Sequence, residues 1–220
     1  METDRLLAVG DIHGEYDMLC NVLDKANYTP DDDMLILIGD YIDRGPQSQK
    51  TVKKVKELTN LGAIALKGNH EDMAYNYACE LKEEQSLSTT SNNKNIYFSN
   101  GGRQTLDSYS NIDKFIEDAM WFNKLPVYKK IDKYIFVHAG LKPRIELKNQ
   151  RIEDMLWIRN EFLMYDWAED DCIDETIVAG HTPFGEIKYF SQSIVIDTGA
   201  GKGGYLSLID LTNNKKYGSL

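Results

Sequence analysis

The chain has 220 residues, 42% hydrophobic and 27% charged, long enough to bury a substantial core. Its net charge of −10 argues against gripping a nucleic-acid backbone or an anionic membrane surface, since both call for a basic face. Three cysteines without C-x-x-C spacing argue against a disulfide framework or zinc knuckle, and point to a reducing compartment, the cytoplasm.

Met1-Glu2-Thr3-Asp4 lacks the basic region and apolar core of a signal peptide, and no apolar run approaches the ~18 residues of a membrane span. Residues 5–9 (Arg-Leu-Leu-Ala-Val) read as a strand, followed at once by Gly10-Asp11-Ile12-His13-Gly14. A helix is expected from Glu15 to Ala26, with Leu19, Val22, Leu23 and Ala26 at helical spacing. After a turn, Met34 to Ile38 is an apolar, β-branched run that predicts a buried strand. It leads into Gly39-Asp40-Tyr41-Ile42-Asp43-Arg44-Gly45, two carboxylates and a guanidinium between glycines. Residues 48–60 predict an amphipathic helix whose Lys53, Lys54 and Lys56 form a solvated face rather than a binding patch. Ala63 to Leu66 is a third short strand, ending in Lys67-Gly68-Asn69-His70-Glu71, which opens a helix to about Glu84.

Strand, polar loop and helix therefore occur three times, and Asp11, Asp40 and Asn69 are 29 residues apart in turn, close to the ~30 residues of a βαβ unit. Right-handed crossovers make such strands parallel, so their loops share one edge and Asp11, His13, Asp40, Asn69 and His70 converge. Open α/β sheets bind ligands at such an edge.

Residues 86–102 are polar and read as a loop inside a mainly helical excursion at about 79–125. That loop is either a lid over the active edge or a plain surface insertion. Tyr134 to Val137 is a strand ending at His138-Ala139-Gly140. A helical stretch contains Met155 to Arg159, and the acidic segment 169–175 reads as a solvated loop. Thr176 to Ala179 is a strand ending at Gly180-His181-Thr182-Pro183. Segments 187–190, 193–196 and 205–209 complete a set suited to antiparallel pairing. No Pro- or Gly-rich linker divides the chain, which reads as one domain with two sheets. Lys202, in Gly199-Ala-Gly-Lys-Gly-Gly, lacks the Ser or Thr that follows the lysine of a nucleotide-binding loop, and reads as part of a turn.

All four histidines, His13, His70, His138 and His181, lie just past the end of an apolar strand and close to a glycine. With Asp11, Asp40 and Asn69 they form a donor set of imidazole, carboxylate and amide without thiolate. Such a set suits manganese, iron or zinc. Such a set exceeds one tetrahedral site, and two ions sharing a carboxylate are the arrangement for displacement at phosphorus.

In this order, Gly10 to Gly14, Gly39 to Gly45, Gly68 to Glu71, His138 to Gly140 and Gly180 to Thr182 resemble the five signature blocks of the phosphoprotein phosphatase (PPP) branch of the calcineurin-like metallophosphoesterases. The short length, and Asp197-Thr198-Gly199-Ala200 with Gly203-Gly204, are similar to the bacterial and phage serine/threonine phosphatases. The resemblance implies a four-layer α/β/β/α fold, two mixed β-sheets packed as a sandwich flanked by helices, with residues 1–220 forming one catalytic domain. It implies two divalent metal ions, manganese before iron or zinc. Asp11, His13 and Asp40 would hold the first, and Asp40 would bridge to a second on Asn69, His138 and His181. A hydroxide between the ions would attack phosphorus. His70 would protonate the leaving oxygen, with Asp43 orienting and charge-stabilising its ring. Arg44 and Asn69 would bind substrate phosphate, joined by Arg159 of Trp157-Ile158-Arg159, for which Arg144 and Arg151 are weaker candidates.

The function so implied is hydrolysis of phosphomonoesters on proteins, phosphoserine and phosphothreonine or phosphotyrosine. The partner is a phosphorylated protein or peptide, not nucleic acid or membrane. A diadenosine tetraphosphate hydrolase is the nearest rival; that branch tends to lack an acid at position 43 and to carry Asp at position 71, so Asp43 and Glu71 favour the phosphatase. A nucleic-acid end-healing phosphatase is disfavoured by the acidic surface, and a non-catalytic phosphate-binding module by the intact ligand set.

Overall fold

The structure, a computed structural model, describes residues 4–84 and 92–219. Strand β1 (Arg5–Val9) leads to helix α1 (Tyr16–Lys25), β2 (Asp33–Leu37), α2 (Ser48–Asn60), β3 (Ile64–Ala65) and α3 (Asn69–Glu84). Strands β1, β2 and β3 are parallel neighbours, so the three polar loops share one edge as their spacing predicts. Helices α4 (Asn93–Ser99), α5 (Gly102–Ser108) and α6 (Ile112–Phe122) form the excursion.

The loop expected over 86–102 needs correcting in its described part, because residues 93–99 are helical. Its single fully buried side chain explains this: Tyr97 stacks against Phe115 of α6 and packs beside Tyr77 of α3. One aromatic anchor orders a stretch whose polar composition alone favours a loop. Residues 86–91 of that expected loop lie outside the described residues.

The second half supplies the hairpin β4 (Tyr128–Ile131) and β5 (Tyr134–Val137), short helices α7 (Ile152–Trp157) and α8 (Asn160–Leu163), then β6 (Thr176–Ala179), β7 (Lys188–Tyr189), β8 (Ser193–Val195), β9 (Ser207–Asp210) and β10 (Lys215–Gly218). The strands form two mixed five-stranded sheets, in the orders β10-β9-β1-β2-β3 and β4-β5-β6-β8-β7. The C-terminal strands do not form one antiparallel set. β7 pairs antiparallel with β8, β8 is parallel to β6, and β9 crosses to the first sheet, antiparallel to β1. In the acidic segment Asp170 departs from the solvated reading: it is buried and accepts from the N–H groups of Arg144, Cys172 and Ile173.

Alternation along the strands builds the layers. Leu7, Val9, Leu35 and Leu37 face α1, α2 and α3 on the outside of the first sheet. Leu6, Ala8, Ile36 and Ile38 face inward, against Phe136, Val178, Ile194 and Ile196 of the second sheet. The second sheet turns Ile135, Val137, Ile177 and Ala179 outward onto Met155, Phe162 and Trp167. The central strands of both sheets are thus buried on both faces, so they read as continuous apolar runs whose polar groups collect at the strand ends.

Candidate active site

The backbone is strained where the polar loops meet. His13, Asp40, Asp43, Arg44 and His181 all have φ between 48° and 73°, the left-handed region that side chains avoid. The fold compensates with hydrogen bonds from below. Glu71, fully buried in the first turn of α3, accepts from the backbone N–H of Asp40 and Tyr41 at 2.8 Å each and of Gly68 at 2.9 Å. Tyr41 hydroxyl reaches the carbonyls of Leu37 and Leu66. Gly68 permits the approach, since a Cβ there would lie 2.3 Å from Asp40 Oδ1. Burial and the Asp40 charge push Glu71 up to about 7, against the three N–H bonds that favour its charged form.

Two groups of buried donors converge on Asp40: His13, Asp40 and His70, and Asp40, His138 and His181. Asp40 Oδ2 lies 3.6 Å from His13 Nε2, and Oδ1 lies 3.4 Å from His138 Nε2. Asn69 Oδ1 joins the second group, 2.9 Å from both His138 Nε2 and His181 Nδ1. The outer hydrogen bonds fix which nitrogens point inward. His13 Nδ1 is 2.9 Å from the Ile42 carbonyl and His138 Nδ1 is 3.1 Å from that of Ile38. A carbonyl only accepts, so each Nδ1 carries a proton and, in the neutral ring, Nε2 keeps its lone pair for the cluster.

These residues fit divalent cations. Lone pairs of two imidazoles, an amide and a carboxylate face one another within 3.4 Å around His138 Nε2, an arrangement that calls for positive charge between them. Burial works against protonating His138, yet the Asp40 charge outweighs it and lifts the ring to about 9. His13 and His181 go the other way: burial and a neighbouring imidazole hold them at about 3 and about 2, unprotonated and able to ligate. Burial opposes the charged form of Asp40, but the surrounding imidazoles keep it well below the usual carboxylate range.

Asp11 stands beside the groups rather than in either. Both its oxygens accept from the backbone N–H of His181, at 3.2 and 3.0 Å. Burial and the nearby Asp197 push it well above the ordinary carboxylate range. Gly180 makes room for it, since a Cβ there would lie 2.1 Å from Asp11 Oδ1.

His70 Nδ1 is 2.6 Å from Asp43 Oδ2, with both side chains buried. Arg44, half-buried, directs Nη1 to His13 Nε2 and holds Nη2 3.0 Å from His70 Nε2. Arg159 is exposed and reaches the rim, donating from Nη1 to the His181 carbonyl at 3.1 Å and to Thr182 Oγ1 at 3.2 Å. The alternatives point elsewhere: Arg144 Nε donates to Tyr165 and Arg151 pairs with Glu153.

Sequence reasoning missed four contributors. Ser48 and Thr105 hold Asp43 by hydrogen bonds from two other elements. Asp197 places a further buried carboxylate near Asp11. Gly201, in the turn that carries Lys202, lies against His13, where a Cβ would be 2.5 Å from His13 Cβ. Only Asp197 had a sequence signal, as part of the Asp-Thr-Gly-Ala segment.

Comparison with known proteins agrees with this geometry. The calcineurin-like phosphoesterase profile matches residues 4–205. Serine/threonine-protein phosphatase 2 of Escherichia coli K12 is 30% identical over 90% of this chain and 89% of its own. The asymmetrical bis(5'-nucleosyl)-tetraphosphatase PrpE of Halalkalibacterium halodurans is 28% identical, covering 91% and 87%. A solved structure named provisionally as a diadenosine tetraphosphatase superposes with a TM-score of 0.71 at 22% identity, over 98% of this chain and 93% of that one. The chain is a calcineurin-like phosphoesterase, a metal-dependent hydrolase with the characteristic blocks of the phosphoprotein phosphatase branch.

Proposed function

We propose that this chain is a single catalytic domain that dephosphorylates proteins in the cytoplasm, hydrolysing phosphomonoesters of serine, threonine or tyrosine. His13, Asp40, Asn69, His138 and His181, with Asp11 alongside, would hold two divalent cations, manganese in preference to iron or zinc. When bound, such ions supply Lewis-acid stabilisation of phosphoryl oxygens and a nucleophile from water near neutral pH. Arg44 and Arg159 bind the free phosphate oxygens together with Asn69, a task for which a planar guanidinium is well shaped.

The observation that carries the reading is the buried Asp43–His70 pair, 2.6 Å apart. Asp43 fixes Nδ1–H of the ring and balances the charge of its protonated form. Nε2 then delivers a proton to the leaving oxygen. A serine or threonine alkoxide is a strong base and cannot leave without that proton. A nucleotide leaving from diadenosine tetraphosphate departs as a phosphate anion and needs none. A dedicated proton donor with its own orienting carboxylate therefore favours phosphomonoesters of poor leaving groups.

The second reading, dinucleotide hydrolysis, is favoured by the 28% identity to a protein named for that activity. A phosphopeptide panel assayed beside diadenosine tetraphosphate with manganese separates the two. Protein dephosphorylation predicts faster turnover of the peptides, and a loss of about 10²–10⁴-fold on them in His70→Asn with metal content retained. Preference for the dinucleotide, or full peptide turnover in His70→Asn, would overturn it.

A further inference from the structure

Thr105 lies 62 residues beyond Asp43, in α5 of the helical excursion, yet it touches the proposed proton-donor pair. Its side chain is fully buried. Thr105 Oγ1 is 2.6 Å from Asp43 Oδ1 and 2.8 Å from Asp43 backbone N. Ser48 Oγ, also buried, is 3.0 Å from Thr105 Oγ1 and 3.1 Å from the same N–H. The directions follow from the number of protons. An ionised carboxylate only accepts and a backbone N–H only donates, so Thr105 gives its one proton to Oδ1 and accepts from Asp43 N–H. Ser48 is left to donate to Thr105. Asp43 Oδ2 remains for His70 Nδ1, at 2.6 Å. The carboxylate is thus held at both oxygens, on a residue whose φ of 73° is strained.

We propose that Thr105 is a positioning residue for proton delivery: its hydroxyl clamps the Asp43 carboxylate in the orientation that aims His70 at the leaving oxygen. The inference rests on His70 acting as the acid, as proposed above. It also makes α5 a working part of the site. A residue that serves proton delivery matters most when the leaving group is poor, and a merely structural residue does not discriminate among esters.

The test compares Thr105→Val and Thr105→Ser with the parent protein on phenyl phosphate and 2,4-dinitrophenyl phosphate, in manganese. Dinitrophenolate leaves without a proton, whereas phenolate depends on one. Loss of one charge-assisted hydrogen bond predicts a kcat for phenyl phosphate about 10–100-fold lower in Thr105→Val, with KM changed less than about threefold. On the dinitrophenyl ester the loss should shrink below about threefold, and Thr105→Ser should restore phenyl phosphate turnover. Metal content and melting temperature are read in parallel. In a His70→Asn background, Thr105→Val should cost little more, because the group it positions is gone. Equal losses on both esters, additive losses with His70→Asn, or no loss at all would overturn the inference while leaving the acid role of His70 intact. Full phenyl phosphate turnover in His70→Asn would instead remove the acid role and this inference with it. Should Thr105→Val not fold, Thr105→Cys, close in size and a much weaker hydrogen-bond donor, carries the same comparison.

Discussion

Glu71→Gln is isosteric, yet it should be among the most damaging conservative changes in the protein. Glu71 Oε2 accepts from Asp40 N and Gly68 N, and Oε1 from Tyr41 N. An amide has one acceptor oxygen. Its best orientation keeps that oxygen on the Asp40 and Gly68 N–H groups and turns its own NH2 onto the Tyr41 N–H, donor against donor. One buried N–H then goes unpaired, at about 1–3 kcal/mol, and two charge-assisted bonds become neutral ones, at about 1 kcal/mol each. Removing a buried charge returns part of this, since burial already raises Glu71 to about 7. The net is about 3 kcal/mol, which at ~2–4 °C per kcal/mol for a chain of this size is a melting temperature ~6–12 °C lower. The loss should be accompanied by weaker metal retention, because the backbone of Asp40 is what the carboxylate holds in place. Calorimetry and metal analysis on the same sample check both. A melting point within ~2 °C of the parent would refute the reasoning that Glu71 secures the strained loops.

Gly180→Ala would drive a Cβ to 2.1 Å from Asp11 Oδ1, and displacing that carboxylate should lower metal affinity about 10–100-fold, read by titration of the chelated protein. Arg159→Ala should raise KM for phosphomonoesters about 10-fold; its exposure keeps the melting temperature within ~2 °C. Asp33→Asn tests stability away from the site, where Arg5 Nε and Nη2 hold the two Asp33 oxygens at 2.7 and 2.6 Å. Burial alone would raise Asp33, but the Arg5 hydrogen bonds and charge outweigh it and hold it below its ordinary value. Stability from the pair is therefore complete above the ordinary aspartate range and is lost as pH falls through the lowered native value. The variant should be about 1.5–3 kcal/mol less stable at neutral pH, with the gap closing on acidification in denaturant titrations.

Much of the site was legible because each block pairs a buried strand with a polar loop at its end. The 29-residue spacing of Asp11, Asp40 and Asn69 translates directly into three parallel neighbours with a common edge. His138 and His181 follow β5 and β6, parallel neighbours in the second sheet, which brings them to the same rim. The missed groups have no such grammar. Thr105 and Ser48 are single hydroxyls on helices, and a hydroxyl reveals its partner only once the helix is docked. The helix over 93–99 was hidden for a related reason: seven residues carry too little periodicity, and its order comes from Tyr97 packing on Phe115. The split of the C-terminal strands between two sheets is likewise tertiary, since short antiparallel connections are compatible with either partner.

Strain at the rim is met by support from several elements. Five left-handed residues cluster at the rim, and each costs about 1–3 kcal/mol, so the loops hold this shape only because Glu71, Tyr41 and the docked helices enforce it. The proposed cation donors follow the carboxyl ends of the parallel strands β1, β2, β3, β5 and β6. The proton delivery proposed for His70 would depend as well on α5, through Thr105 and Asp43. The proposed acid pair thus shares its loops with the cation donors but draws added support from the helical excursion. A change confined to the excursion can alter which leaving groups are accepted while the donor set stays intact. On the proposed reading, the firmness with which Asp43 and its helical support hold His70 would set how poor a leaving group this chain can expel.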